Sequence, residues 1–163
     1  MSKALFIGRF QPFHIAHLED IKMILRQFDS VIIGIGSSQY SNTKDNPFTY
    51  KQRKRMIDET LKDESISDYE IKEIPDIHDD ERWVEHVISI TGKVDKIFTG
   101  NDWTEGLFKK AGYDVFKIEL IPDISSTIIR ENILEGQEWE HLLPEKVVEI
   151  IKEIDGENII KNC

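Results

Sequence analysis

The sequence contains a single cysteine, Cys163, which is the last of its 163 residues. One cysteine excludes an intramolecular disulfide and a cysteine-based zinc site. Long hydrophobic runs are also lacking, since the longest, such as residues 31–35, are far too short to cross a bilayer. The chain begins Met1-Ser2-Lys3 and enters a strand-like run at once, with no visible secretory signal. We therefore expect a cytoplasmic protein with no membrane partner.

Basic residues are scarce relative to acidic ones. Lysine and arginine number 21 against 31 aspartates and glutamates, which gives a formal net charge of −10. A strongly acidic surface repels the nucleic-acid backbone, whose neutralisation normally dominates affinity. An anionic ligand must instead be held by a local cluster of donors that works against the overall field. The composition favours a small ligand in a pocket and no nucleic-acid partner.

Strand-like and helix-like segments alternate along the chain. Strands are predicted over residues 4–8, 31–36, 69–74, 96–99 and 115–118, of which the first is a short apolar run closed by glycine and the second is rich in β-branched residues. Helices are predicted between them, including one over residues 49–61 that begins with a capping box formed by Thr49 and Gln52. A helix capped by Asp102 is predicted to end at Ala111, with Gly112 in the left-handed position that terminates helices.

This alternation predicts an α/β fold, a Rossmann-like doubly wound parallel five-stranded sheet with a helical C-terminal segment. The length fits a single domain. We expect residues 1–124 to form its α/β core and residues 125–163 its helical segment. Ligands of such sheets bind outside the carboxyl ends of the strands. The loops that follow the predicted strands are therefore the place to look for a site.

The first of these loops contains two histidines. Gly8 closes the first strand, and His14 and His17 lie three residues apart at the opening of a helix. A helix N-terminus offers free amides and a positive partial charge to phosphate, and two imidazoles add hydrogen-bond donors. An isolated pair with this spacing is more often a helix cap and a surface residue. Here the position after a strand and a Gly-Arg-Phe loop favours phosphate binding.

A second group of donors lies near the C-terminus. Ser125, Ser126 and Thr127 open a predicted helix, and Arg130 lies one turn further on. Hydroxyls and backbone amides at a helix start can bind phosphate, and arginine provides a planar fork suited to polyphosphate. The alternative interpretation is a helix cap followed by a surface arginine.

Together the two motifs resemble those of the HxGH nucleotidyltransferase superfamily of adenylyl- and cytidylyltransferases. The motif ISSTxxR is intact at residues 124–130, whereas Ala16 stands where the HxGH motif has its glycine. Within the superfamily the chain is most similar to archaeal-type nicotinamide mononucleotide (NMN) adenylyltransferases, over almost its whole length. The likeness is found in residues 8–14, 33–39, 46–49, 75–77, 83–84, 100–101 and 139–144. Asn42 departs from it, because family members often have histidine there.

The resemblance implies transfer of AMP from ATP to the phosphate of NMN, which forms NAD and releases pyrophosphate. The attacking group is already an anion, so the reaction needs alignment and charge stabilisation rather than a covalent nucleophile. Mg²⁺ would arrive bound to the ATP phosphates, since this ion commonly keeps waters and uses few protein ligands, and no metal-binding residue is assigned. The family likeness also implies a homo-oligomer, a hexamer in many relatives.

The resemblance assigns the site residues as follows. His14, His17 and Arg130 would be catalytic. ATP would contact Gly8, Arg9, Phe10, Phe13, Gly100, Asn101, Ile124, Ser125, Ser126 and Thr127. NMN would contact Ser37, Asp76, Asp80 and Trp83, with Trp83 stacking on the nicotinamide ring.

Several alternatives stay open at this point. Trp83, Val87 and Ile90 share helical spacing, so Trp83 can equally be a core residue, and Asp80 can equally be a helix cap. Trp103 is either a pocket wall or packing. For the whole chain, the alternatives are a related nucleotidyltransferase with another phosphorylated acceptor or CTP, and a nucleotide-binding sensor without catalysis.

Overall fold

Five short segments form the strands of one sheet, and all but β3 are rich in apolar residues. A computed structural model describes all residues, 1–163. The strands are β1 Lys3–Gly8, β2 Ser30–Ile35, β3 Tyr69–Glu73, β4 Lys96–Thr99 and β5 Val115–Lys117. The helices are α1 Ile15–Leu25, α2 Tyr50–Asp63, α3 Asp80–Thr91, α4 Asp102–Lys110, α5 Ser126–Leu134, α6 Glu145–Glu153 and α7 Gly156–Lys161, with a 3-10 turn at Glu140–Leu142. None of the helices combines the length and the apolar character that a membrane span requires.

The sheet has the strand order β3-β2-β1-β4-β5, and every neighbouring pair is parallel. The chain therefore starts in the middle of the sheet, builds one edge, and returns to build the other. The central strands β1 and β2 are buried along almost their whole length, as expected for strands covered on both faces. The predicted α/β fold class is confirmed, including the five parallel strands and the helical C-terminal segment.

The chain divides into two compact units, each assembled from three segments. The first, which we call the sheet unit, consists of Met1–Gly8, Asp20–Ser38 and Asp68–Glu119. The second, the helical unit, consists of Arg9–Glu19, Gln39–Ser67 and Leu120–Cys163. All five strands belong to the sheet unit, whereas the two predicted phosphate motifs belong, apart from Gly8, to the helical unit. The expectation of a single domain with a division after residue 124 stays a prediction.

Buried apolar residues lie in both units. In the sheet unit, side chains of the sheet pack against those of α3 and α4, in a cluster made of Leu5, Ile7, Ile32, Ile74, Trp83, Val87, Val94, Ile97 and Phe108. In the helical unit, α2 packs against α6, and α7 packs against α5 and α6. The buried stripe of α2 follows helical spacing and consists of Arg53, Met56, Ile57, Thr60 and Leu61.

The helix starts show one correct prediction and one correction. Thr49 and Gln52 form the predicted capping box of α2, in which each side chain accepts a hydrogen bond from the other residue's backbone amide. The predicted cap of α4 is wrong by one residue. Asn101 has the extended backbone of a cap, and its side chain accepts a hydrogen bond of 2.9 Å from the amide of Thr104. Asp102 is the first helical residue and pairs with Lys117.

Candidate active site

The two histidines of the first motif lie with their rings stacked. The ring centroids are 3.6 Å apart and the planes are inclined by 15°. The amide of His14 donates to Nδ1 of His17 over 3.1 Å, and the amide of His17 donates to Nδ1 of His14 over 3.3 Å. A nitrogen that accepts carries no proton, so each neutral ring bears its proton on Nε2. The reciprocal bonds thus fix two Nε2–H donors at the start of α1.

Burial keeps both imidazoles uncharged. His14 is 6% exposed, and removal from water lowers its pKa to about 4. Burial also lowers the pKa of His17 well below its usual value, with a smaller contribution from the neighbouring His14. Besides His14, two phenylalanine rings contact His17: Phe10 meets it edge-on at 4.8 Å between centroids, and Phe13 stacks at 5.6 Å. At neutral pH the pair therefore offers hydrogen bonds without positive charge.

The two predicted phosphate motifs contribute one arginine each, Arg9 and Arg130, and both lie in the helical unit. Arg130 is 6% exposed, and its Nη1 donates to the carbonyl of Gln11 over 2.8 Å. Arg9 is exposed, and its Nη1 donates to the carbonyl of Asp45 over 3.3 Å. Burial lowers the pKa of Arg130, the charge of Arg9 lowers it further, and Asp45 opposes the shift. Because Arg9 and Arg130 repel each other, a bound anion would stabilise both.

The second motif makes structural contacts as well as offering donors. Ser125 caps α5 by accepting from the amide of Ile128, and Ser126 Oγ donates to the carbonyl of Pro12 over 2.8 Å. Thr127 Oγ1 lies 3.5 Å from Nη2 of Arg130. The alternative interpretation of this motif is thus correct for the cap. It is wrong for the arginine, because Arg130 is buried beneath the first motif's loop.

The sheet unit brings together two of the residues expected to bind NMN. Ser37 follows β2 and Asp76 follows β3, so both lie at the carboxyl ends of neighbouring strands. Ser37 Oγ donates to the carboxylate of Asp76 over 2.8 Å. Gly8 lies at the same edge of the sheet, where its carbonyl accepts from the amide of Gly36 over 2.8 Å. Gly100 and Asn101 follow β4 directly, with Asn101 as the cap of α4.

The other two expected NMN residues belong to α3. Trp83 is only 4% exposed and packs edge-on against Phe108 in the core cluster, while its Nε1 has no hydrogen-bond partner. Trp103 is 44% exposed, lies 4.6 Å from Trp83 between ring centroids, and donates from Nε1 to Asp80 over 3.3 Å. Asp79, not Asp80, is the cap of α3. Stacking of Trp83 on a nicotinamide ring stays a prediction.

Two buried polar residues beside the first motif were not predicted. Gln11 is 1% exposed, and its side chain donates to the carbonyl of Phe48 over 3.0 Å and accepts from the amide of Phe48 over 2.9 Å. Arg53 is fully buried, and its Nη1 donates to the carbonyl of Arg9 over 2.9 Å. One signal was available for Arg53, since it occupies the first position of the buried stripe of α2.

Comparison with known proteins assigns the chain to a family. A family model described as cytidylyltransferase-like matches residues 5–132. A nicotinamide-nucleotide adenylyltransferase of Thermoplasma volcanium is 45% identical over 156 residues, which cover 94% of this chain and 88% of that protein. The chain belongs to the nicotinamide-nucleotide adenylyltransferase family. Another member, from Methanococcus maripaludis, is 47% identical over 161 residues, 98% of this chain and 94% of that protein.

Solved structures of adenylyltransferases share the fold. A bifunctional NMN adenylyltransferase/ADP ribose pyrophosphatase from Francisella tularensis, complexed with AMP and a manganese ion, has a TM-score of 0.78 at 23% identity. The match covers 98% of this chain, which spans about half (52%) of that one. A putative nicotinate-nucleotide adenylyltransferase from Vibrio parahaemolyticus has a TM-score of 0.68 at 19% identity, over 100% of this chain and 98% of that one. The predicted resemblance to adenylyltransferases is confirmed.

Proposed function

We propose that this chain transfers AMP from ATP to NMN, producing NAD and pyrophosphate. The observation that supports this most directly is the reciprocal pair of His14 and His17, with Arg9 and Arg130 in the same unit. These neutral and charged donors suit the oxygens of a polyphosphate. NMN is proposed as the acceptor because relatives at 45% and 47% identity over nearly the whole chain are named nicotinamide-nucleotide adenylyltransferases.

The reaction displaces one anion by another at a phosphorus atom. A phosphate oxygen of NMN attacks the α-phosphorus of ATP, the bond from that phosphorus to its bridging oxygen breaks, and pyrophosphate leaves with the electron pair. Negative charge grows on the bridging and β-phosphate oxygens. The Nε2–H groups of His14 and His17 donate to these oxygens, and Arg9 and Arg130 bind the polyphosphate. Because the two imidazoles are neutral, their Nε2–H groups can donate these hydrogen bonds over a wide range of pH.

The divalent ion of the proposal is Mg²⁺ carried by ATP. Imidazole and guanidinium donors suit phosphate oxygens, whereas Mg²⁺ prefers oxygen ligands and keeps several waters. The chain has no group of three or more histidine, cysteine, aspartate or glutamate side chains placed to hold a metal. The ion, when bound, neutralises charge on the phosphates. The residues of the helical unit supply the remaining donors.

The remaining assignments of the proposal follow the family resemblance. The ATP contacts also include Gly8, Phe10, Phe13, Gly100, Asn101, Ile124, Ser125, Ser126 and Thr127. Ser37, Asp76, Asp80 and Trp83 bind NMN. A single domain, a cytoplasmic location, a homo-oligomeric assembly and the absence of nucleic-acid and membrane partners stay predictions.

Product analysis tests the function. The purified chain is incubated with Mg²⁺ and either ATP or CTP, and with NMN, nicotinic acid mononucleotide or another phosphorylated acceptor. We expect NAD and pyrophosphate in equal amounts from ATP and NMN. Product from a different acceptor alone would favour a related transferase. Nucleotide binding without pyrophosphate release would favour a sensor.

Replacing Trp83 distinguishes stacking from core packing. We expect Trp83→Ala to raise KM for NMN by about tenfold, the scale of a lost aromatic contact, and to change KM for ATP far less. Trp83→Phe keeps an aromatic ring and should raise KM for NMN less than the alanine variant does. Phe108→Leu is the matched control, because Phe108 is fully buried and packs against Trp83 in the same cluster. Steady-state kinetics with each substrate varied in turn provide the measurement. Equal changes in both KM values would identify Trp83 as a core residue only.

A further inference from the structure

The largest fully buried side chain in the protein is that of Arg53, on α2. Burial of a guanidinium is costly unless its donors are satisfied. Its Nη1 donates to the carbonyl of Arg9 over 2.9 Å, and its Nε donates to the carbonyl of Thr49 over 3.3 Å. One guanidinium therefore joins the start of α2 to the loop of the first motif. Both residues of this link, Arg53 and Arg9, belong to the helical unit.

The loop that Arg53 holds has an unfavourable backbone conformation. Phe10 has φ of 54°, in the left-handed region that side chains other than glycine seldom adopt. Such a conformation persists only where the surroundings impose it. Arg53 binds the carbonyl of Arg9, just before Phe10, and Arg130 binds the carbonyl of Gln11, just after it. Two buried arginines thus hold the residues on either side of Phe10.

The conformation of Phe10 bears directly on His17. The Phe10 ring is buried and meets the His17 ring edge-on at 4.8 Å between centroids. On another side, His17 stacks on His14 at 3.6 Å and accepts the His14 amide. If Phe10 left the left-handed region, its ring would move and one side of His17 would lose its contact. The Nε2–H donor would then be less tightly oriented, because only the His14 amide and the stacked rings of His14 and Phe13 would still hold the imidazole.

We propose that Arg53 is a positioning residue for AMP transfer, which holds Phe10 in its left-handed conformation and so fixes the ring of His17. This inference rests on the proposed function for its kinetic consequence. Arg53 itself donates to backbone carbonyls, and its effect reaches the substrate through Phe10 and His17. It shares this role with Arg130, which also belongs to the phosphate motif.

Substitution of Arg53 tests the inference. We expect Arg53→Met to lower kcat by about tenfold or more, since misplacing a catalytic group by about 1 Å can cost up to 10²-fold. KM for NMN should change by less than about twofold, because the expected NMN residues belong to the other unit. Arg53→Lys restores a donor toward the Arg9 carbonyl and should recover a large part of the lost kcat. Steady-state kinetics give both values.

The imidazole signals provide a readout that does not depend on turnover. In the wild type, ¹⁵N shifts of His17 should show a protonated Nε2 and an unprotonated Nδ1. In Arg53→Met these shifts should move toward averaged values. Should that variant fail to fold, Arg53→Gln, which keeps an amide donor on a shorter side chain, takes its place in both measurements.

Leu61→Ala is the matched control for lost stability. Leu61 is fully buried on the same face of α2 but lies two turns from Arg53. The control should lower the melting temperature and leave kcat and the His17 shifts unchanged. The inference is overturned if Arg53→Met keeps wild-type kcat and shifts, or if Leu61→Ala lowers kcat equally. If the wild type forms no NAD, the proposed function fails instead, and the imidazole shifts still decide the role of Arg53.

Discussion

Replacing His17 by alanine is expected to lower kcat by about 10²-fold or more, the effect of losing one preorganised donor to a developing negative charge. The reciprocal bonds fix the Nε2–H tautomer of His17, and burial keeps the ring neutral, so the wild-type donor is ready before ATP binds. The protein should remain folded, as judged by circular dichroism. Near-normal turnover in the folded variant would contradict the assigned role.

Two further variants separate the roles of the two ring nitrogens. His17→Asn keeps an oxygen near the position of Nδ1, which can accept the amide of His14, but it provides no donor at Nε2. His17→Gln instead places an amide NH₂ near the position of Nε2. We expect the glutamine variant to retain more turnover than the asparagine variant. The reverse order would show that the capping of the His14 amide matters more than the donor. His141→Ala, at an exposed histidine of the helical unit, is the matched control.

Acid is expected to destabilise the folded chain, in part because of His14. The pKa of this group is about 4 in the folded state against 6.5 in the unfolded state. Between these values the unfolded chain binds a proton that the folded chain does not, so the free energy of unfolding decreases as the pH falls. Above about pH 6.5 the His14 ring is neutral in both states and the free energy of unfolding has its full value. Toward pH 4 the free energy of unfolding falls by about 3 kcal/mol because of this one group. The lowered pKa of His17 acts in the same direction.

Urea unfolding at several pH values between 7.5 and 4 measures this effect. His14→Asn removes the titrating group and keeps an oxygen near Nδ1 to accept the amide of His17. We expect this variant to lose much less stability over the same pH window than the wild type. Carboxylate protonation affects both proteins and cancels in the comparison. His141→Asn should follow the wild-type curve. A His14→Asn curve parallel to the wild-type curve would show that burial of His14 does not determine the acid response.

The sheet could be predicted closely from the sequence because most of its strands contain short apolar runs bounded by glycine or polar residues. All five predicted strands exist, with ends displaced by at most one residue. The residues that cap the helices were harder to predict. Asn101 and Asp102 can both cap a helix, and the sequence does not show which of them has the extended backbone. The same ambiguity applies to Asp79 and Asp80, of which Asp79 is the cap.

The contacts within the helical unit could not be predicted from the sequence. The spacing of His14 and His17 predicted neighbouring rings, but the reciprocal bonds depend on the turn that brings each amide to the other ring. Arg130 was recognised by its motif, yet its burial and its bond to Gln11 link residues 119 positions apart. The burial of Arg53 could not be expected from its residue type, because arginine side chains are mostly exposed. Its helical spacing with the apolar residues Met56 and Ile57 was the one sequence feature that indicated burial.

The pairing of Gln11 with Phe48 makes one link of the helical unit depend on a single side chain. The Gln11 side chain imitates a peptide group, since it donates to the carbonyl and accepts from the amide of the same residue. Links between neighbouring strands use main-chain groups, which every amino acid except proline supplies, so substitutions seldom remove them. The link to Phe48 instead depends on the side-chain amide of one residue, Gln11. Phe48 is fully buried, so a substitution at Gln11 would leave the main-chain amide and carbonyl of Phe48 without the partner that Gln11 provides.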